Sequence, residues 1–474
     1  MAYLLNFVYL LLLAVLSPWL LYRAATEGKY RQGLGAKLLG LVPRRESDRC
    51  CVWLHAVSVG EVNLLETLID EIMRRRPDWE CVISTTTLTG FALAKKKHAD
   101  LQVFYCPLDF SWATAAAMRR VRPHLLVLVE LELWPNLIRA ARRRGATVAV
   151  VNGRLSENSF RGYRRIRPLI GWLLRQIDLV AVQNETYAGR FCQLGASPEA
   201  VQVTGSLKFD GAETNRSNPA TTRLRKLAGL SDETIIFLAG STQEPEEALA
   251  LATFRQLREE HPRLRLVLVP RHPQRFDQVA QLLEESGLSW QRRSHLADNP
   301  VEGNPETDNQ GTGNQETGDP ETDNPDMDGV GAEILLVDTV GELGVWWGAA
   351  HIAFVGGSLG LRGGQNMIEP AAYGAAVCFG PNTWNFPDIV SMLLDAGAAE
   401  VIADGDALTR FARQCLEEPE FAEQLGHRAS RLVAGQLGAT RRTVEQLLMA
   451  RAPSTAPGPH AAPAREGQPA QRRS

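Results

Sequence analysis

Along most of the chain, short apolar runs alternate with stretches whose apolar residues fall at helical spacing. Residues 51–57, C-V-W-L-H-A-V, read as a buried strand. From Glu61 onward, E-V-N-L-L-E-T-L-I-D-E-I-M-R-R-R sets Val62, Leu65, Leu68, Ile69 and Ile72 on one helical face and ends in a basic turn. The cycle repeats in C-V-I-S-T-T-T before T-G-F-A-L-A-K-K-K, in L-L-V-L-V before W-P-N-L-I-R-A-A-R-R-R, and in T-V-A-V-V-N and D-L-V-A-V-Q. Strand and helix patterns in alternation predict a parallel sheet wound by helices. Around 210–232 the chain becomes polar and turn-rich, as a linker between domains is. A second series follows: I-I-F-L-A-G, L-R-L-V-L-V-P, E-I-L-L-V-D, I-A-F-V-G-G and A-A-V-C-F-G. Neither series carries hairpin signals, so the expected fold class is α/β, with two Rossmann-like domains facing each other across a cleft.

The N-terminus has a different pattern. Residues 2–22 are apolar except for breaks such as Asn6 and Pro18, and are long enough to span roughly 30 Å of hydrocarbon. No basic n-region precedes them and no small-residue cleavage site follows, which speaks against a signal peptide. Arg23, Lys29, Arg31, Lys37, Arg44 and Arg45 come next, and the positive-inside rule places the body of the protein in the cytoplasm. The other reading is a hydrophobic helix that lies in the membrane interface or packs on the protein. The expected division is an anchor at 1–22, a first domain at 23–210, a linker at 211–230 and a second domain at 231–450. Within the second domain, 297–331 is an acidic, degenerate repeat, and 451–474 is a tail rich in Pro, Ala and Arg. Both compositions predict disorder.

Composition narrows the class. A chain of 474 residues, 45% hydrophobic, can bury more than one core, and a net charge of −3 argues against nucleic acid as a partner. The seven cysteines are odd in number, scattered and without a C-x-x-C pair, which predicts reduced thiols and no structural zinc.

Five stretches at or after predicted strand ends carry candidate chemistry. S-V-G-E sets Glu61 at the start of a helical pattern, where it either caps the helix or serves as a general base; at that position it is expected to be ionised. V-E-L-E-L-W-P-N sets Glu130 and Glu132 after a very apolar strand, whose alternation would point both to one side. V-T-G-S-L-K-F-D offers Lys208 at the end of the first domain. L-V-P-R-H-P-Q-R-F offers Arg271 between two prolines, suited to paired hydrogen bonds with phosphate or to a surface ion pair. The fifth stretch joins D-T-V-G-E-L-G to R-G-G-Q-N-M-I-E-P-A-A-Y-G, where Gly363 and Gly364 lead into a helical pattern opened by Asn366 and Glu369. Free amides at such a helix start suit an anion. There is no G-x-G-x-x-G after a first strand and no G-x-x-x-x-G-K-[ST], which counts against a dinucleotide enzyme or a P-loop ATPase.

Taken together and in order across 58–386, S-V-G-E, E-L-E-L-W-P-N, V-N-G-R-L-S-E, V-T-G-S-L-K-F-D, G-S-T-Q-E-P-E-E, V-P-R-H-P-Q-R-F, D-T-V-G-E-L-G, A-F-V-G-G-S-L and G-G-Q-N-M-I-E-P-A-A resemble the 3-deoxy-D-manno-octulosonic acid (Kdo) transferases. The resemblance implies a GT-B glycosyltransferase that moves Kdo from CMP-Kdo to the 6′-hydroxyl of a lipid A precursor at the membrane, without a catalytic metal or other cofactor. It makes Glu61 the proton acceptor and Glu132 and Lys208 transition-state stabilisers. Pro270, Arg271, Val340, Gly341, Glu342, Asn366, Met367, Ile368 and Glu369 would bind the CMP moiety. Two positions depart from the family pattern: Gln365 stands where His is usual, and Val340 where Met is usual. A rival reading is a GT-B enzyme that uses a UDP-sugar; another is a catalytically dead binding module. The basic residues of 23–45 are expected either to set topology or to hold the protein near lipid headgroups.

Overall fold

The computed structural model describes residues 2–27, 32–296 and 332–451. The chain forms two compact units, Met1–Asp210 together with Gly438–Ser474, and Gly211–Leu437. The first contains seven parallel strands: β1 (Cys50–His55), β2 (Trp79–Thr85), β3 (Gln102–Tyr105), β4 (Leu125–Val129), β5 (Thr147–Gly153), β6 (Leu179–Val182) and β7 (Val201–Val203). Their order is β3-β2-β1-β4-β5-β6-β7. Along β1, Val52 and Leu54 enter one apolar cluster while Cys51 and Trp53 enter the other, so both faces of the sheet are covered.

The helices that matter here are α1 (Ala2–Glu27), α2 (Leu34–Leu39), α3 (Val59–Arg75), α4 (Leu88–Lys97), α5 (Ser111–Val121) and α6 (Pro135–Arg143). The face of α3 predicted from spacing is the one it buries: Val62, Leu65, Leu68, Ile69 and Ile72 all join the core. Burying each such aliphatic side chain contributes roughly 1.5–3 kcal/mol.

At the N-terminus the spanning anchor is not supported. Among the described residues, no helix is long and apolar enough to cross a membrane. The polar positions of α1 instead tie it to the body. Asn6 Nδ2 donates to Ser111 Oγ at 2.7 Å, Asn6 Oδ1 accepts from the Ser111 amide at 2.9 Å, and Tyr9 OH donates to Asp109 at 3.2 Å. Leu4, Phe7, Leu11, Leu12, Val15 and Trp19 remain exposed. The helix thus fits the second reading, a hydrophobic helix packed on the protein. The basic stretch after it is also not one surface: Arg45 is buried and bonds Glu80 at 3.2 Å and several carbonyls, and Lys37 stacks over Tyr105.

The second unit repeats the architecture with β8 (Ile235–Thr242), β9 (Leu264–Pro270), β10 (Trp290–Arg292), β11 (Ile334–Leu336), β12 (Ile352–Val355), β13 (Ala376–Phe379) and β14 (Glu400–Val401), in the order β10-β11-β9-β8-β12-β13-β14 and all parallel. The unit boundaries differ from those expected. The stretch expected as a linker holds the helix Pro219–Leu227, whose Thr221 and Leu224 are buried in the second unit. The final helix, Ala439–Arg451, belongs to the first unit, where Ala439, Val444 and Leu447 complete the core under α3. Apolar periodicity announces a helix but does not say which sheet it covers. Residues 297–331 and 452–474, expected to be disordered, lie outside the described residues. All seven cysteines are unpaired.

Candidate active site

In open parallel sheets, ligands bind beyond the carboxyl ends of the strands, where the strand order reverses. In the first unit that reversal falls between β1 and β4. Directly after β1, Ser58 caps α3: its Oγ accepts the Glu61 amide at 3.3 Å and donates to Glu61 Oε1 at 2.9 Å, while the Val57 amide donates to Oε2 at 2.8 Å. This is a capping box with its return bond moved one residue upstream. The capping reading of Glu61 therefore holds, but it does not account for the whole residue. Glu61 is only 9% exposed. Burial pushes its carboxyl up to about 7, against the bonds from Val57 and Ser58, and the charges of Glu132 and Glu130 add to the rise. The expectation of a fully ionised group is corrected: desolvation outweighs the helix terminus and both donors. A carboxyl that titrates near neutrality is matched to accepting a proton.

Glu130 and Glu132 reach this cluster by a turn, not by strand alternation. β4 stops at Val129, and Glu130 has φ 57, in the left-handed region that residues with a β-carbon seldom occupy. The Glu130 amide bonds the Val151 carbonyl at 2.9 Å, which pins the turn to β5. Burial raises the Glu132 carboxyl, a bond from Trp134 Nε1 at 2.9 Å opposes the rise, and the Glu130 charge reinforces it. Lys208 Nζ lies 3.8 Å from Glu130 Oε1. Glu61, Glu132 and Lys208 are thus parts of one cluster, linked through Glu130.

Two neighbours had no assigned role in the sequence reading. Asn152, at φ 54, accepts the Leu207 amide on Oδ1 at 3.1 Å and so fixes the turn that carries Lys208. His55 is wholly buried at the end of β1, with Nδ1 2.9 Å from Ser84 Oγ and its ring edge-on to Trp134. Burial pushes its imidazole down to about 4, so it stays neutral near pH 7 and packs against the indole whose Nε1 bonds Glu132. A histidine inside an apolar strand was the available signal.

In the second unit the order reverses between β8 and β12. The loops there are held by Glu246, buried and also without an assigned role. Its Oε2 accepts the Gln243 and Gly357 amides at 2.9 and 2.7 Å, and its Oε1 those of Ser358 and Leu359 at 2.9 and 3.0 Å. Pro270 closes β9. The Arg271 amide bonds Thr242 O at 3.0 Å, which leaves its side chain exposed at the strand mouth. Burial raises the Glu369 carboxyl, while Asn366 and then the Arg271 charge lower it. Asn366 Nδ2 donates to Glu369 Oε1 at 2.9 Å, and its Oδ1 caps the Ile368 amide at 3.1 Å. The expected row of free helix amides is corrected: the helix is only Ile368–Ala372, and Asn366 already occupies its first amide. Met367 and Ile368 are core residues that anchor this segment.

The V-G-E turn lies beside it, since a Cβ on Gly344 would sit 3.7 Å from Glu369 Oε2. Gly341 has φ 98, Val340 is exposed, and Glu342 is held by Arg293 Nε and Nη2 at 3.0 and 2.9 Å and by Thr339 at 2.8 Å. Arg293, in an unremarkable basic stretch, gave no sequence signal. Gln365 lies against the turn at Gly357, where a Cβ would come within 3.1 Å of its Nε2. Among the described residues, the one gathering of potential metal ligands is Glu260, His261 and Glu417, and Arg413 bonds both of its carboxylates.

Two seven-stranded parallel sheets, each with candidate side chains at its reversal point, define an α/β protein of the GT-B type. UDP-GlcNAc 2-epimerase from Neisseria meningitidis, crystallised with UDP-GlcNAc, shares this fold with a TM-score of 0.52 over 84% of this chain and 100% of that one, at 13% identity. The sequence is more specific. A family profile described as 3-deoxy-D-manno-octulosonic-acid transferase matches residues 32–211. The 3-deoxy-D-manno-octulosonic acid transferase of Bordetella pertussis is 35% identical over 406 residues, covering 84% of this chain and 86% of that protein. That of Haemophilus influenzae is 32% identical over 399 residues, with shares of 84% and 86%. The chain belongs to the Kdo transferase family and is a glycosyltransferase.

Proposed function

We propose that the protein transfers Kdo from CMP-Kdo to the 6′-hydroxyl of a lipid A precursor, with inversion at the anomeric carbon and without a metal. The observation that supports this most is the buried Glu61 carboxyl, poised near neutrality at the sheet reversal of the first unit. The acceptor oxygen attacks the anomeric carbon from the side opposite CMP, its proton passes to Glu61, and the bond to the phosphate oxygen breaks to release CMP. Lys208 offsets negative charge that develops on the leaving phosphate, and Glu132 offsets positive charge that develops on the sugar. The second unit is assigned to the nucleotide: Arg271 contributes positive charge, and the Asn366–Glu369 pair offers hydrogen-bonding groups for a ribose. The catalytic body works on the cytoplasmic face of the inner membrane, with the exposed apolar face of α1 seated in the lipid interface.

The test is incubation of the full chain with CMP-Kdo and a tetra-acylated lipid A precursor, followed by mass spectrometry of the lipid. A mass gain of one or more Kdo units is expected. Release of CMP with no change in the lipid would reject this acceptor, and the absence of both would reject the activity.

A further inference from the structure

The first unit holds a concavity that the proposed chemistry does not use. It lies between α5 and α6, encloses about 480 Å³, and is lined by Arg119, Arg139, Arg143 and Arg144 together with Ser111 and Asn136. Ser111, Ala115, Met118 and Arg119 recur at helical spacing along α5, as do Asn136, Arg139, Ala140 and Arg143 along α6, with Arg144 at its C-cap. The small side chains of Ala115 and Ala140 leave room between the two helices. No carboxylate lines the space, and among the described residues none of the four arginines has an acidic partner. Arg139 Nη1 is buried without a hydrogen bond, and its guanidinium lies over the Trp172 ring, 5.5 Å from the centroid. Arg143 and Arg144 alone would be ordinary cations at a helix C-terminus. Arg139, in the middle of α6, and Arg119, on the other helix, are not explained that way. Four guanidinium groups without a carboxylate partner, one of them set over the Trp172 ring, surround one concavity and suit a group with several anionic oxygens, which they can bind through paired N–H donors.

The surroundings indicate what carries that group. Ser111, on the pocket wall, is the residue to which Asn6 of α1 is bonded twice. The pocket therefore adjoins a helix whose Leu4, Phe7, Leu11 and Val15 are exposed. Arg45 and Lys37, which sequence alone made candidates for headgroup contact, are buried or stacked on protein. We propose that the α5–α6 pocket binds the phosphate of a lipid headgroup while α1 lies in the same lipid surface, so that the protein reads charge and hydrocarbon together. This rests on the interfacial reading of α1 given above.

The experiment measures sedimentation of the full chain with phosphatidylcholine vesicles and with vesicles that also contain phosphatidic acid. The combined variant Arg119→Ala, Arg139→Ala, Arg143→Ala is compared with wild type and with Arg164→Ala, Arg165→Ala, which removes charge from another helix of the same unit. The pocket variant should lose affinity for the anionic vesicles by about tenfold or more, keep its binding to phosphatidylcholine, and retain its circular dichroism. The control variant should bind anionic vesicles within about twofold of wild type. Arg→Lys at the three pocket positions should restore part of the loss, which separates charge from folding. Inorganic phosphate should displace wild type from the anionic vesicles and leave binding to phosphatidylcholine unchanged. Equal losses in the two alanine variants would overturn the pocket in favour of diffuse charge. Failure of phosphate to compete would overturn phosphate as the ligand. Binding of wild type to neither vesicle would overturn both this proposal and the seating of α1, whereas binding lost only in the pocket variant leaves the transfer reaction untouched.

Discussion

At the scale of single residues, Glu61 illustrates how a capping residue is also fitted for chemistry. Its carboxyl sits near neutrality because burial opposes two hydrogen bonds and a helix terminus. In its proposed role as proton acceptor it must be ionised, so transfer rates should fall as pH drops through about 7; a rate profile of kcat/KM against pH checks this. Glu130 and Glu132 couple to it, so the limb belongs to the cluster as a whole. The linkage to stability runs the other way. A carboxyl held above its unfolded value of 4.5 favours the protonated fold, so this residue's contribution declines as pH rises from 4.5 towards about 7. Ser58→Ala removes a bond that lowers the Glu61 carboxyl and also removes the helix cap. The acid limb should move to higher pH, and denaturant unfolding should show a loss of about 1 kcal/mol. A limb that stays in place would mean that Ser58 acts only on the helix. Glu61, Glu130, Glu132 and Arg271 were legible in sequence because each follows a recognisable strand end, whereas Lys208 follows the short strand β7, which gave no such signal, and came from the motif V-T-G-S-L-K-F-D. Their ionisation was not legible: it depends on burial, and on Glu130 and Glu132 arriving through a left-handed turn that strand alternation does not describe.

At the scale of elements, sequence periodicity located the interior strands and failed at the margins. L-L-V-L-V and L-R-L-V-L-V-P coincide with β4 and β9, both interior and buried. The strands it passed over, β3, β7, β10 and β14, are the outer strands of the two sheets, two to four residues long and mostly less apolar. An edge strand is stabilised by one neighbour and needs no long apolar run. The final helix shows a second limit. Asp210, at the end of V-T-G-S-L-K-F-D, accepts the Gly438 amide at 2.6 Å and also the Thr440 amide, so it caps a helix more than two hundred residues away. No local pattern reveals such a cap. Asp210→Ala should cost about 1–2 kcal/mol and raise amide hydrogen exchange selectively in Ala439–Arg451. Exchange that rises uniformly across the first unit would show that the cap does not act locally.

At the scale of the whole molecule, the first unit is discontinuous in sequence and the second is not. Residues 211–437 should therefore fold as an isolated fragment, whereas a chain that stops at 437 lacks Ala439, Val444 and Leu447 from the core beneath α3. Burial of the two larger side chains contributes roughly 3–6 kcal/mol together, a large part of a domain's net stability. Such a truncation should melt at markedly lower temperature than the full chain in its first-unit transition, followed by calorimetry. Equal melting would show that the last helix contributes little.

The measurement that bears most directly on the central claim is Kdo transfer by Glu61→Gln beside wild type, at saturating CMP-Kdo, with CMP affinity measured on the same preparations. Gln keeps the size of Glu61 and can still accept the Val57 amide on its Oε1, with its Nε2 donating to Ser58 Oγ, but it cannot take a proton. Turnover should fall about 100- to 10,000-fold, while CMP binding stays within about twofold of wild type. Turnover that remains within about tenfold of wild type would contradict the account and leave Glu61 as the cap of a helix and nothing more.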